Sequence, residues 1–223
     1  MPDGQYSFYL HSDDRTDIAA MATISTISQP LRGEFIRTAA TAGAVVYQVD
    51  ARLPALIPVF FAGQLSAVRL CAVMALVSGT WSSLTGLPDE PENGGAALLV
   101  SPETEYQRRR YTLTLQNDRS GERVESVLTE ASSRLRGDLL RNLIITGLAL
   151  HTTAPELPRL LASMPVPPTS VSELQALVQQ MAGTADVNRA AAAVPDTPAA
   201  SAAPVSGSDT REIKKNMRRA FGD

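Results

Sequence analysis

The sequence predicts a mainly α-helical fold with a short two-stranded antiparallel β-ribbon, made of two similar modules with extra helices and a disordered C-terminal linker. The first observation is an internal repeat, because Leu31-Arg-Gly-Glu-Phe-Ile-Arg37 and Leu135-Arg-Gly-Asp-Leu-Leu-Arg141 lie 104 residues apart. The second is a short stretch of alternating apolar and polar residues early in each copy. The third is helical spacing of the apolar residues that follow each stretch.

The repeat continues without gaps through chemically unlike residues. Gly43 matches Gly147, and Leu53-Pro54 matches Leu157-Pro158 at the same offset. Apolar periodicity alone would match only the apolar positions, so the constant spacing indicates a duplicated structural unit. The order predicted for each copy is strand, helix, helix.

The second copy shows this order most clearly. Residues 111–115 alternate and predict a strand with one buried face, and Asp118 offers a start for the first helix. A second helix is predicted from about Leu135 to Leu150, with Pro155 closing it. The outward strand residues are Arg110, Thr112, Thr114 and Gln116.

The first copy repeats the plan with a strand over residues 6–10, a helix start at Asp14 and a second helix opened by Pro30. Its strand is one residue out of register with the offset. A single short strand cannot satisfy its backbone donors and acceptors, so it needs a partner strand. The other copy is the expected partner, and the pairing can be within one chain or between chains.

Gly43 and Gly147 fall in the middle of the second helix of each copy. Glycine there costs about 1 kcal/mol relative to alanine. Close approach of another helix explains the choice, and a tolerated chance glycine is the alternative.

Composition and charge bound the class of protein. The chain has 223 residues, 44% hydrophobic and 19% charged, with a net charge of -3, which is ordinary for a soluble protein of two modest domains. Its one cysteine, Cys71, has apolar neighbours that suit a buried thiol in a reducing, cytoplasmic setting. No signal peptide is visible, and the apolar run over residues 53–68 is too short and too interrupted for a membrane span.

Two further helices are predicted. Ser170 and Glu173 form a capping-box pattern ahead of a helix after the second module. The apolar segment over residues 55–79 is its expected counterpart in the first module, although its role stays open. Its core-facing residues are predicted to be Leu65, Val68, Cys71 and Ala72.

The sequence therefore divides into five parts. Residues 1–79 form the first module with its apolar extension, 80–107 a linker, and 108–182 the second module with its following helix. Residues 183–208 are rich in alanine, proline and serine and predict a disordered linker, because such a segment cannot bury a core. Residues 209–223 predict a short amphipathic helix, marginal alone, that folds on a partner.

A short strand followed by two helices, paired through the strand, resembles the ribbon-helix-helix fold, in which paired strands enter the DNA major groove. Residues 141–150, the proline-containing segment after them, and a tail with Lys214-Lys215-Asn216-Met217 resemble the plasmid partition adaptors of the ParR or StbB type. The resemblance covers the second half best, from about Arg110 onward. It implies a centromere-binding protein, here as a tandem duplication.

The resemblance implies which residues contact DNA. Outward strand residues read bases, and the start of the second helix holds a phosphate. The implied base readers are Arg110, Thr112, Thr114, Gln116, Ser7 and Tyr9. The implied phosphate contacts are Arg32, Gly33, Arg37, Arg136, Gly137 and Arg141. The chemistry of these residue types fits the implied roles. Arginine can form two hydrogen bonds to a guanine base, threonine can contact the thymine methyl group, and backbone amides at helix N-termini bind anions such as phosphate.

The resemblance also implies partners: double-stranded DNA with centromere-like repeats, and an actin-like ATPase filament engaged by the tail. Clustering of several adaptors on DNA repeats implies self-association and high avidity. The alternative for the tail is nonspecific DNA affinity. The tail residues expected to contact the partner are Ile213, Lys214, Lys215, Met217, Arg218 and Phe221.

Catalytic chemistry is not expected. The sequence has no glycine-rich phosphate loop, and its two histidines have no metal-ligand spacing around them, so we expect no enzyme activity, no cofactor and no metal. Two other functions stay open. One is a tandem ribbon-helix-helix accessory protein of conjugative DNA processing, or a transcriptional repressor. The other is a DNA-free interaction scaffold, favoured by the acidic pI near 5.5.

Overall fold

The computed structural model describes residues 4–80 and 107–192, with side chains of the last helix described as far as residue 183. These ranges contain eight α-helices and one two-stranded antiparallel sheet, which confirms the predicted fold class. The first half consists of β1 (Gln5–His11), α1 (Arg15–Ser25), α2 (Arg32–Val49), α3 (Leu53–Phe60) and α4 (Ala67–Ser78). The second half consists of β2 (Arg108–Thr114), α5 (Arg119–Glu130), α6 (Arg136–Thr153), α7 (Leu157–Ser163) and α8 (Val171–Ala192).

The two halves have the same order of elements. Both α2 and α6 have 18 residues and begin at Arg32 and Arg136, which keeps the offset seen in the sequence. The strands begin at Gln5 and Arg108, one residue out of that register as predicted. The strand β1 pairs with β2 of the same chain, so the ribbon forms within one chain.

Aspartate caps set the starts of the first helix in both halves. The Asp14 carboxylate accepts a hydrogen bond of 3.0 Å from the Asp17 amide, and the Asp118 carboxylate accepts one of 2.8 Å from the Gly121 amide. Each satisfies an amide that has no partner within the helix. Both predicted helix starts are confirmed.

The core is centred on the crossing of α2 and α6. A Cβ atom added to Gly43 would lie 2.0 Å from the carbonyl oxygen of Leu143, and one added to Gly147 would lie 2.2 Å from that of Ala39. The two backbones therefore touch at both glycines, which confirms the predicted close helix approach. Ala39 and Leu143 are also 104 residues apart. Each helix therefore uses equivalent residues for the contact, with its own glycine against the partner position on the other helix.

Some local predictions were wrong. Pro30 does not open α2 but lies in a 3-10 turn, Gln29–Leu31, and α2 begins at Arg32. Val68 is 46% exposed, whereas Leu65 and Cys71 are buried as predicted. The helix α4 buries Leu70, Cys71, Val73, Met74 and Val77. Val68 is two positions before Leu70 and therefore points about 200° away from it around the helix axis. Val68 therefore faces out.

The apolar run over residues 53–68 is divided between α3 and the start of α4 and packs into the core through Leu53, Ile57, Phe61 and Leu65. Within residues 4–80 and 107–192, no helix combines the length and apolar character needed to cross a membrane.

The C-terminal predictions are mostly outside the described residues. The helix α8 continues to Ala192, into the segment 183–208 for which we predicted a linker, since alanine is the best helix former. The rest of that segment, the linker residues 81–106 and the tail over 209–223 with Ile213, Lys214, Lys215, Met217, Arg218 and Phe221 lie outside the described ranges.

Candidate nucleic-acid interface

The ribbon has one buried and one outward face. Its register places Ser7 opposite Thr112 and Tyr9 opposite Arg110, so five of the six predicted base readers share a face. The inward face is packed on the helices, since Phe8, Leu10 and Leu113 are at most 2% exposed. On the outward face, the residues of β2 are all exposed and those of β1 are exposed or half-buried. The complete outward face consists of Gln5, Ser7, Tyr9, His11, Arg108, Arg110, Thr112 and Thr114.

Aromatic packing fixes the inward face. The rings of Phe8 and Tyr111 stack with their centroids 5.2 Å apart. The two residues are directly opposite each other in the ladder, where side chains on the same face are closest. Because the inward residues bind the ribbon to the helices, the polar outward residues are left toward solvent.

Two contacts arrange the arginines on the outward face. The Arg110 guanidinium donates from Nε and Nη2 to the Ser7 hydroxyl, at 3.2 and 3.0 Å. The Arg108 guanidinium lies over the Tyr9 ring, 3.5 Å from its centroid, which is a cation–π contact. Each arginine therefore extends along the ribbon toward its diagonal neighbour on β1.

Sequence reasoning missed three residues of this face: Gln5, His11 and Arg108. The strands are longer than the clear alternation of apolar residues, because β2 begins with three arginines that carry no apolar signal. Extending the alternation two residues toward the N-terminus of β2 would have found Arg108. Gln116 is exposed but lies two residues beyond the end of β2.

The predicted phosphate contacts at the helix starts lie beside the ribbon to different degrees. A Cβ atom on Gly137 would lie 3.5 Å from the carbonyl oxygen of Ser7, so the start of α6 is close to β1. A Cβ atom on Gly33, at the start of α2, would have no described protein atom within 4 Å. Backbone amides at such helix starts are suited to an anion.

Arg32 and Arg136 have the same internal contact in both halves. Arg32 Nε donates to the Ile27 carbonyl at 2.8 Å, and Arg136 Nε donates to the Ala131 carbonyl at 3.2 Å. Each bond attaches the start of the second helix to the chain just after the first. It uses one edge of the guanidinium, which has five N–H donors.

Arg141 is held in an ion pair inside the protein. Its Nε donates to Asp17 Oδ1 at 2.6 Å, and Nη2 lies 3.2 Å from Asp14 Oδ2. Asp17 is fully buried and also accepts a 2.9 Å bond from the His11 amide. Burial raises the pKa of Asp17, and the Arg141 and His11 bonds oppose that rise. Arg141 thus joins α6 to α1 and β1.

Arg37, the counterpart of Arg141, has other partners. Its Nε donates to the Thr114 carbonyl at 3.2 Å, and Nη1 forms an ion pair with Glu34 one turn earlier. The first bond attaches α2 to the last residue of β2. Both arginines predicted here as phosphate contacts therefore hold helices against the ribbon.

Comparison with known proteins gave one finding. A sequence model of the family described as "Plasmid stability protein" matches residues 4–74 and 109–178. The matched segments cover more than half of the chain and contain nearly all of both strands. No curated protein and no solved structure matches significantly.

Proposed function

The chain belongs to the plasmid stability protein family, which indicates a role in plasmid maintenance, and we propose that it is a DNA-binding segregation adaptor of the ParR or StbB type. In this proposal the ribbon enters the major groove of centromere-like repeats and the C-terminal tail engages an actin-like ATPase filament. The observation that carries the DNA-binding part is the exposed polar face of the ribbon with Arg108 and Arg110.

The major groove admits a two-stranded ribbon, and its base edges accept the bonds that these side chains offer. The backbone amides at the starts of α2 and α6 then lie at the phosphates, with Arg32 and Arg136 adding charge from the edges not used internally. We assign Arg37 and Arg141 an indirect part, because their guanidinium groups hold α2 and α6 in place.

We further propose that the chain is a tandem duplication of one ribbon-helix-helix module. The repeated element order, the shared offset of α2 and α6, and the reciprocal glycine contacts support this view. One chain would then supply a complete ribbon, for which a single-module protein needs two chains.

The tail part of the proposal rests on the resemblance and on the sequence of residues 209–223. Ile213, Met217 and Phe221 are four residues apart in the sequence, and in a helix the lysines and arginines between them would lie on the other faces. Laid into a groove of the filament, such a helix gives a weak contact. Several adaptors on one array of DNA repeats would self-associate and add these contacts into strong binding.

The DNA-binding part is tested by titrating labelled duplex from a plasmid partition region with the full chain. The double variant Arg108→Ala with Arg110→Ala should weaken binding at least tenfold, because paired bonds to guanine are worth about 1–3 kcal/mol each. The matched control is Arg69→Ala with Arg159→Ala, which removes the same charge from exposed positions on α4 and α7. Equal weakening in both variants would reject base reading by the ribbon.

The tail part is tested by cosedimentation with a polymerised actin-like ATPase of a plasmid partition system. The full chain should sediment with the filament, and a chain ending at Ser208 should not. Addition of DNA repeats should increase the sedimented fraction of the full chain. Equal sedimentation of the two chains would reject the tail as the filament contact.

A second candidate function is an accessory DNA-binding protein of conjugative DNA processing, or a transcriptional repressor. The ribbon formed within one chain favours it, since tandem modules are familiar in the conjugation class. In that case the DNA target lies near a transfer origin or a promoter, and removal of residues 209–223 leaves activity unchanged. Binding-site mapping on the plasmid separates the candidates.

A further inference from the structure

We propose that the ribbon reads an asymmetric DNA site, made of two unlike half-sites in a fixed order. This inference rests on the proposed DNA binding through the ribbon. It goes further by stating the symmetry of the target and the base chemistry of each half.

The two strands present different side chains outward. β1 contributes Gln5, Ser7, Tyr9 and His11, whereas β2 contributes Arg108, Arg110, Thr112 and Thr114. When positions are counted from the first residue of each strand, Ser7 of β1 corresponds to Arg110 of β2, and Tyr9 corresponds to Thr112. No equivalent outward position carries the same residue in both strands.

The antiparallel register converts this difference into two unlike ends. Arg108 is opposite His11 and Arg110 is opposite Tyr9, so both arginines are at one end of the ribbon. At the other end Gln5 is opposite Thr114 and Ser7 is opposite Thr112, which are uncharged. The outward face therefore has a basic end and a neutral hydroxyl and amide end.

The internal contacts of the face belong to the basic end and its border. Arg108 stacks on Tyr9, and Arg110 is held by the Ser7 hydroxyl. The matching positions on β1 hold Gln5 and Ser7, which cannot form a cation–π contact or donate from a guanidinium. The two ends therefore differ in how their side chains are held as well as in charge.

The helix starts beside the ribbon also differ between the two halves. The start of α6 approaches the β1 backbone at Ser7, whereas Gly33 at the start of α2 has no described protein atom near its added Cβ. The two helix starts proposed to contact phosphates therefore have different positions relative to the ribbon. A duplex bound to the ribbon would have different protein surroundings on its two sides.

Each end has its own base preference. Arginine forms paired bonds to the N7 and O6 atoms of guanine, glutamine forms them to adenine, and threonine contacts the thymine methyl group. The basic end therefore favours guanine and the neutral end favours A·T pairs. A homodimer with identical strands is two-fold symmetric and reads a palindrome, whereas this ribbon has no such symmetry to impose.

The test is selection of bound duplexes from a randomised pool by the full chain, followed by sequencing. The expected motif has a guanine-containing half and an A·T half and is not an inverted repeat. Within it, substitution of the guanine should weaken binding about 5- to 150-fold for a full paired contact. An enriched inverted repeat would overturn the inference, and so would binding with no enriched motif.

A symmetrised variant gives the sharper result. Gln5→Arg, Ser7→Arg, Tyr9→Thr and His11→Thr together give β1 the outward residues of β2, and the selected motif should become an inverted repeat with guanines in both halves. The reverse variant, Arg108→Gln with Arg110→Ser, should lose only the guanine half. Circular dichroism checks that both variants are folded. An unchanged motif in both variants would contradict the inference.

These outcomes separate the inference from the proposed function on which it rests. If the folded wild-type chain retains no duplex at low salt, the proposed DNA binding fails. If it binds duplex and enriches an inverted repeat, DNA binding stands and only the asymmetric reading fails.

Discussion

Arg37 and Arg141 are equivalent in the repeat, yet only Arg141 has a buried carboxylate as partner. The reason is one residue in the opposite half. Asp17 accepts from Arg141, whereas the position of Asp17 in the second half is Gly121, which has no side chain to offer. Arg37 therefore takes the Thr114 carbonyl and the exposed Glu34 instead.

We predict that Arg141→Ala destabilises the protein by about 3–5 kcal/mol, because it leaves the buried Asp17 charge without its partner. Arg37→Ala is the matched control and should cost about 1 kcal/mol or less, since its ion-pair partner Glu34 is exposed and is left in contact with water. Urea denaturation measures both. Asp17→Asn in the Arg141→Ala background should recover part of the loss, because it removes the unpaired charge. Equal losses for the two arginine variants would contradict the structural role assigned to Arg141.

At the residue scale the sequence was partly sufficient. Alternation over residues 111–115 located Thr112 and Thr114 on the outward face, because buried leucines mark the opposite face. Arg108 was missed, since an arginine beside two other arginines gives no periodic signal. The bonds of Arg37 to the Thr114 carbonyl and of Arg141 to Asp17 depend on residues far away in the sequence, so local sequence could not predict them.

The helix crossing is the element on which both halves depend. Glycine at equivalent places in α2 and α6 was visible in the repeat, and close approach was the physical reason expected for it. The partner of each glycine was not visible, because the contact atoms are backbone carbonyls whose position follows only from the crossing of the two helices.

We predict that Gly43→Ala destabilises the protein by about 1–3 kcal/mol or more, because the new methyl group would overlap the Leu143 carbonyl and force the helices apart. Gly183→Ala in α8 is the control, since nothing described lies within 4 Å of its added Cβ. It should stabilise by up to about 1 kcal/mol through helix propensity. Thermal or urea unfolding compares them. If Gly43→Ala is as stable as the wild type, the two helices can move apart at their crossing without loss of stability, and the prediction is wrong.

The cap of α5 gives a pH-dependent prediction. Bonds from the Gly121 amide and the Ser120 hydroxyl hold the pKa of Asp118 below its ordinary value of 3.8. A carboxylate whose pKa is lower in the folded state contributes stability above its unfolded pKa and loses it as the pH falls through the folded value. Asp118→Ala should therefore cost about 1 kcal/mol at neutral pH, and this gap should close in acid.

Asp118→Asn is the control for this cap. It keeps an oxygen that accepts from the Gly121 amide but has no group to titrate, so its advantage over Asp118→Ala should not change with pH. Unfolding free energies from urea titrations at several pH values below neutrality provide the comparison. If the difference in unfolding free energy between the wild type and Asp118→Ala stays constant into strong acid, the charge of Asp118 does not contribute to stability.

At the scale of the whole molecule, the ribbon makes the two halves one folding unit. Each strand satisfies the backbone groups of the other, and each half contributes one helix to the central crossing. Neither half retains its sheet or the centre of its core without the other. The sequence predicted that the strands pair, but strand patterns contain no information on whether the partner belongs to the same chain.

We predict that unfolding of the free protein does not depend on its concentration. Pairing of β1 with β2 within one chain makes folding unimolecular, whereas strand pairing between chains would make the melting temperature rise with concentration by mass action. Melting followed by circular dichroism over about a hundredfold range of concentration, without DNA, provides the test. Phe8→Ala is the matched variant. It removes a fully buried side chain of the ribbon and should lower the free energy of unfolding by about 3–5 kcal/mol. Its lower melting temperature should be equally independent of concentration. A rise in either protein would mean that strands are exchanged between chains, and the complete ribbon would then require two copies.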